Sequence, residues 1–245
     1  MKKHIVCFGD SNTHGYRALD NGRFGEDERW PRLMEKFLGE DYLILEEGLS
    51  GRTTCYDDPI HESLSGLSYI YPCLMSHEPV DLLIIMLGTN DTKERFGSSS
   101  ACIALGLKRL IAKAYATTDC WRNQKPNILI VTPKNIDKEY EGTEVAATMG
   151  RGCAEKSAAL GAEYQKIAQL MNCHYFDANT VVKENNHIDY MHLTAEGHIA
   201  LAKALAKKIP SILAWAPGRP AAANNLAARS GALPGGFCFI GRTFR

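Results

Sequence analysis

The side chains that could do covalent chemistry stand in four short blocks. The first is Gly9-Asp10-Ser11-Asn12-Thr13-His14-Gly15. A serine hydroxyl is a poor nucleophile at its free pKa and needs an adjacent base. The last block, Asp189-Tyr190-Met191-His192, offers one in His192. Asp189 lies three residues earlier, where a local turn can set the imidazole tautomer and stabilise the imidazolium. The two middle blocks are Gly48-Leu49-Ser50-Gly51-Arg52 and Gly88-Thr89-Asn90-Asp91. They supply candidate donors for an oxyanion: the Gly51 N–H and the Asn90 amide, beside the N–H of Ser11 itself. Each block alone has a plain structural reading, as a turn or as surface decoration. Their order along the chain is what points to nucleophilic acyl transfer.

The elements that must hold these blocks can be read from apolar patterning. Five short runs read as strands: His4–Phe8, Tyr42–Leu45, Leu82–Leu87, Ile128–Val131 and His174–Phe176. Leu82–Leu87 is apolar throughout and suits a central strand covered on both faces. Helical spacing joins Trp30, Leu33, Met34 and Phe37, then Ile103, Leu107, Leu110 and Ile111. It recurs through Leu160, Tyr164, Ile167, Ala168 and Met171, and through Leu201, Ala202, Leu205, Ile209 and Ile212, with Thr194 as N-cap. A helix over residues 68–76 is expected in spite of Pro72. Alternation of strands and helices predicts an α/β fold, a flavodoxin-like five-stranded parallel sheet in a three-layer α/β/α sandwich. In such folds ligands bind beyond the carboxyl ends of the strands, where the blocks lie.

The chain has 245 residues, 28 Lys+Arg against 28 Asp+Glu, so it has no overall pull on nucleic acid or anionic lipid. No apolar run approaches the roughly 20 residues of a membrane span. No secretory signal is read at the start, and none of the eight cysteines forms a C-x-x-C pair. Free thiols and a cytoplasmic location are expected. The histidines at 14, 61, 77, 174, 187 and 198 show no metal-ligand spacing, so no metal and no cofactor are expected. One domain is assigned to residues 1–215. Residues 216–245 change character and read as a disordered tail, an oligomer arm or a vector-derived extension.

The four blocks resemble those of the GDSL, or SGNH, hydrolase superfamily, and look most like its bacterial arylesterase and acyltransferase branch. The match runs from about Ile5 to Leu213. It implies a triad of Ser11, Asp189 and His192 and an oxyanion hole of Ser11, Gly51 and Asn90. It also implies a small ester substrate and a homo-oligomer. Asn12 departs from the Leu that completes the family's name, which puts pocket shape in question. Asn12, Tyr16, Trp30 and Phe96 are the candidate pocket residues, and Arg52 either meets a substrate carboxylate or joins an ion pair. Asp10 is read as shaping its loop, and Asp57-Asp58 as capping one, with cation binding as the alternative. The expected function is a serine esterase for short acyl or aryl esters, with acyl transfer to alcohols open. The alternatives are a carbohydrate O-deacetylase and, more remotely, a flavodoxin-like module that cradles a phosphate on the Gly9–Gly15 loop.

Overall fold

The computed structural model describes residues 1–214. The predicted tail, 216–245, lies outside them. In chain order the elements are β1 (Lys3–Gly9), α1 (Ser11–His14), β2 (Tyr16–Arg17), β3 (Gly22–Arg23), α2 (Trp30–Leu38), β4 (Tyr42–Gly48) and α3 (Gly66–Ser76). Then follow β5 (Leu82–Met86), α4 (Ser100–Ala116), β6 (Ile128–Thr132), α5 (Ala146–Met149), α6 (Cys153–Met171), β7 (His174–Asp177) and α7 (Ala195–Ala214).

Five strands form one sheet in the order β4-β1-β5-β6-β7, every pair parallel. This is the expected flavodoxin-like arrangement. Side chains alternate across each strand. Ile5 and Cys7 of β1, Ile84 and Met86 of β5, and Leu129 and Val131 of β6 face the layer that holds Trp30, Met34, Leu201 and Leu205. Val6, Phe8, Leu83, Ile85, Ile128 and Ile130 face Ile70, Leu107, Leu110 and Tyr164 in the other. Helices α2 and α7 therefore cover one face, and α3, α4 and α6 the other. Burial of each such aliphatic side chain contributes about 1.5–3 kcal/mol, which fixes the strand ends in space.

The chain leaves β1 toward β4 on one side and returns to β5 on the other. The switch point thus lies between β1 and β5. Ser11 follows β1 and Asn90 follows β5, so both stand at the crevice this topology opens. Thr194 caps α7 as expected, accepting from the Gly197 N–H at 3.0 Å. Pro72 sits inside α3 at an exposed position.

Two differences from the sequence reading have physical causes. Strand β4 runs on through Glu46 and Glu47 to Gly48. At the sheet edge, its carboxylates find partners in Arg29 and His77. The connection over residues 133–152 is not a bare loop. It carries a 3₁₀ turn, Lys138–Gly142, and α5, folded around Tyr140, Ile136, Met149 and Cys153 with Met191. Its apolar residues follow no helical or strand period, so patterning gave no signal.

Candidate active site

The nucleophile block is built by the end of β1. The Asp10 carboxylate accepts from the Asn12 N–H at 3.0 Å and caps the short helix α1. Ser11 opens that helix, where backbone N–H groups have no partner within the turn. Gly9 permits the sharp bend, because a Cβ there would lie 2.9 Å from the Met86 carbonyl. Asp10 thus shapes the loop, as read from the sequence. Burial, against the Asn12 hydrogen bond and nearby positive charge, lifts its pKa to about 6.

The structure brings Ser11, His192 and Asp189 into one hydrogen-bonded line. The Ser11 hydroxyl lies 2.8 Å from His192 Nε2. His192 Nδ1 lies 2.6 Å from Asp189 Oδ2. The second carboxylate oxygen of Asp189 accepts from the N–H groups of Met191 and His192, at 3.1 Å each, and from Asn186 Nδ2 at 2.8 Å. Burial alone would raise the Asp189 pKa. The hydrogen bonds and the imidazole outweigh it and bring the carboxyl down to about 2. Asp189 therefore stays ionised, the state that holds the Nδ1–H tautomer and leaves Nε2 as acceptor for the serine proton. Tyr190, at φ 59°, gives the left-handed turn between the acid and the base.

Ser11, Gly51, Asn90, Asp189 and His192 all line one cavity of about 470 Å³. Asn90 Nδ2 donates to the Arg52 carbonyl at 3.2 Å. A primary amide has two N–H groups, so that bond fixes the side chain and leaves a second donor. Gly51 adopts φ 86°, a conformation that favours glycine. Beneath Asn90, buried Asp91 accepts from the Thr54 N–H and hydroxyl and ties the second and third blocks together. Burial raises its pKa to about 7, against those bonds.

The four candidate pocket residues separate. Tyr16 lines the cavity, its ring centroid 4.5 Å from that of His192. Trp30 is fully buried in the core beneath α2 and α7, so the apolar spacing that placed it on a helix was a core signal. Phe96 stacks on Tyr56 at 5.2 Å and is not among the cavity's lining residues. Asn12 is also absent from the lining and buried. Its Nδ2 donates to the Met191 carbonyl at 3.2 Å, and its Oδ1 accepts from the Leu193 N–H at 2.9 Å. It thus grips the backbone on both sides of His192.

Arg52 is not among the cavity's lining residues and forms no salt bridge among the described residues. It is buried, donates to the carbonyls of Gly9 and Glu47, and lies 4.3 Å over the Phe8 ring. It pins the Gly51 turn to the ends of β1 and β4. Asp58 accepts from the Ile60 N–H and from Arg95, both at 2.9 Å, so it does cap its loop.

Part of the cavity wall was missed. Glu144, Val145, Thr148 and Met149 come from the 133–152 connection, and Lys93 follows Asn90. One signal was available: a connection this long beyond a strand's carboxyl end commonly overlies the site.

Residues 7–200 match the family model of the GDSL-like lipase/acylhydrolase family. The chain belongs to this family. It is accordingly a carboxylic ester hydrolase. An inhibitor-bound structure of the M. smegmatis aryl esterase is 34% identical, with a TM-score of 0.78, over 86% of this chain and 99% of that one. A carbohydrate acetylesterase from Sinorhizobium meliloti is 36% identical, with a TM-score of 0.77, over 86% of this chain and 100% of that one. No curated protein sequence matches significantly.

Proposed function

We propose that this serine esterase works through an acyl-enzyme on Ser11, with Asp189 and His192 completing the triad. The observation that carries the proposal is the Ser11–His192–Asp189 line, at 2.8 and 2.6 Å, on the wall of a cavity. His192 Nε2 takes the Ser11 proton as Oγ bonds to the ester carbonyl carbon. The oxyanion that forms is met by the N–H groups of Ser11 and Gly51 and the free amide N–H of Asn90. The imidazolium then protonates the leaving alcohol as its bond to carbon breaks. Water, deprotonated by His192, attacks the acyl carbon, and Ser11 recovers its proton as the acid departs.

A cavity of about 470 Å³ suits small esters. The similarity to an aryl esterase supports short acyl and aryl esters as the substrate class. The similarity to a carbohydrate acetylesterase supports O-deacetylation of sugars as a second reading. Transfer of the acyl group to a small alcohol, homo-oligomeric assembly and a cytoplasmic setting extend the proposal. The last is supported by the free thiols of all seven described cysteines. The one-domain reading of residues 1–215 also stands as a proposal. Kinetics on p-nitrophenyl acetate beside acetylated xylo-oligosaccharides test the substrate class. Higher kcat/KM for the aryl ester favours the first reading, and the reverse order favours the second.

A further inference from the structure

Away from the cavity, the edge strand and the first long helix of the opposite layer bring three metal-ligating side chains together. Cys73 lies in the last turn-and-a-half of α3, and His77, four residues on, is the residue that caps the helix C-terminus. Glu47 reaches them from β4. The donor atoms of Glu47, Cys73 and His77 all lie within 4.8 Å of one another. Neither a sequence motif nor a conventional spacing announces this set, because Glu47 arrives by tertiary packing from 26 positions before Cys73.

We propose that Glu47, Cys73 and His77 form a binding site for a thiophilic divalent cation of the zinc type, separate from the ester-hydrolysing cavity. The donor set is one thiol, one imidazole and one carboxylate, the borderline-soft combination that Zn²⁺ takes in three-ligand sites with water in the fourth position. His77 Nε2 is already 2.6 Å from Glu47 Oε1, so two donors are held together. Tetrahedral bonds of about 2.0–2.3 Å need donors nearer than 4.8 Å, so binding would draw the three side chains together.

The arrangement balances charge. The Cys73 proton leaves to solvent as the Zn–S bond forms, and the imidazole binds neutral through Nε2. One thiolate and one carboxylate then cancel the +2 ion. Without an ion, burial and the Glu47 charge push the Cys73 thiol pKa well up, with Arg52 pulling the other way. Arg52 is the competing cation. Its guanidinium donates to the carbonyls of Gly9 and Glu47 and lies over the rings of Phe8 and Tyr69; it feels the Glu47 charge without forming a salt bridge to that carboxylate among the described residues. Cys73 is buried, whereas the side chains of His77 and Glu47 are 24% and 17% exposed, which gives the ion a way in.

The test uses the whole chain, stripped with a chelator, dialysed and titrated with Co²⁺. The expected result is one ion per chain, with a thiolate-to-cobalt charge-transfer band and tetrahedral d–d absorption, both displaced by Zn²⁺. Cys73→Ser should abolish the charge-transfer band. His77→Gln, at a partly exposed position that should leave the fold intact, should weaken binding by at least roughly 10–100-fold. A Cys102→Ser control removes the exposed thiol on α4 and should change nothing. Absence of the band in the wild type overturns the proposal. So does a band that survives both Cys73→Ser and His77→Gln, or one lost with Cys102→Ser. Because the readout is spectroscopic, failure here leaves the esterase reading standing.

Discussion

Replacing Asn12 with leucine, the residue that completes the family's name, removes two buried hydrogen bonds that fix the base against the nucleophile. The Met191 carbonyl loses a donor at 3.2 Å, and the Leu193 N–H loses an acceptor at 2.9 Å. A buried polar group left unpaired costs about 1–3 kcal/mol. Two such losses bound the effect at about 2–6 kcal/mol. The segment keeps other anchors, since the His192 carbonyl still accepts from the Asn186 N–H and from its side chain at 2.9 and 2.8 Å. A loss of about 2–3 kcal/mol is therefore expected, seen as a Tm lower by about 5–10 °C in a domain of this size. Freed on both sides, His192 should drift from Ser11, and displacement of a reacting group by about 1 Å can cost 10²-fold. The expected result is a kcat on p-nitrophenyl acetate lower by roughly 10–100-fold with KM within about twofold. The rate of Ser11 phosphorylation by paraoxon should fall in parallel, because it reads nucleophile activation alone. Asn12→Asp keeps the shape and the acceptor but not the donor, and should fall between. Wild-type kcat and phosphorylation rate in folded Asn12→Leu would refute the argument that Asn12 positions the base.

Further outcomes follow from the same geometry. Asn90→Ala should lower kcat by roughly 10²–10³ if its second N–H serves the oxyanion; near-normal kcat removes it from that role. Tyr16→Ala opens the wall beside His192 and should raise KM for aryl esters several-fold more than for ethyl acetate, a comparison steady-state kinetics makes directly. Burial first, with the charge of His192 adding to it, lowers the His198 pKa to about 3, so its ring stays neutral in the core. For a base depressed in the folded state, the stabilisation is present above the unfolded pKa near 6.5 and is lost as pH falls toward 3. From pH 7 to pH 5 this one group should cost about 2 kcal/mol. His198→Asn, able to accept from the Trp30 N–H as the ring does now at 3.3 Å, should show a smaller Tm loss over that interval. An equal loss contradicts the assignment.

Much of this was legible in the sequence, because strand ends position the chemistry. Four of the five sheet strands were found within two residues of their observed bounds, and the apolar run Leu82–Leu87 marked the central strand that delivers Asn90. Edge strand β4 was cut short at Leu45, since Glu46 and Glu47 read as loop until Arg29 and His77 are seen beside them. Trp30 and Phe96 were offered as pocket residues, because aromatics mark cores and pockets alike and only packing separates them. Asn12 was placed in the pocket because it neighbours Ser11. Its true partners lie some 180 positions away, as do those of the nucleophile. The wall built by Glu144–Met149 left no periodic signal for a related reason, only the length of its connection: a short helix folded around Tyr140 has no period of its own to read.

In the proposed mechanism the acyl-enzyme forms on Ser11. This step is tested most directly by p-nitrophenyl acetate hydrolysis with the wild type and Ser11→Ala, the fold of each checked by circular dichroism. Turnover is expected from the wild type and none above background from the folded variant, since the hydroxyl 2.8 Å from His192 is then gone. Equal turnover by both would place the nucleophile elsewhere and contradict it.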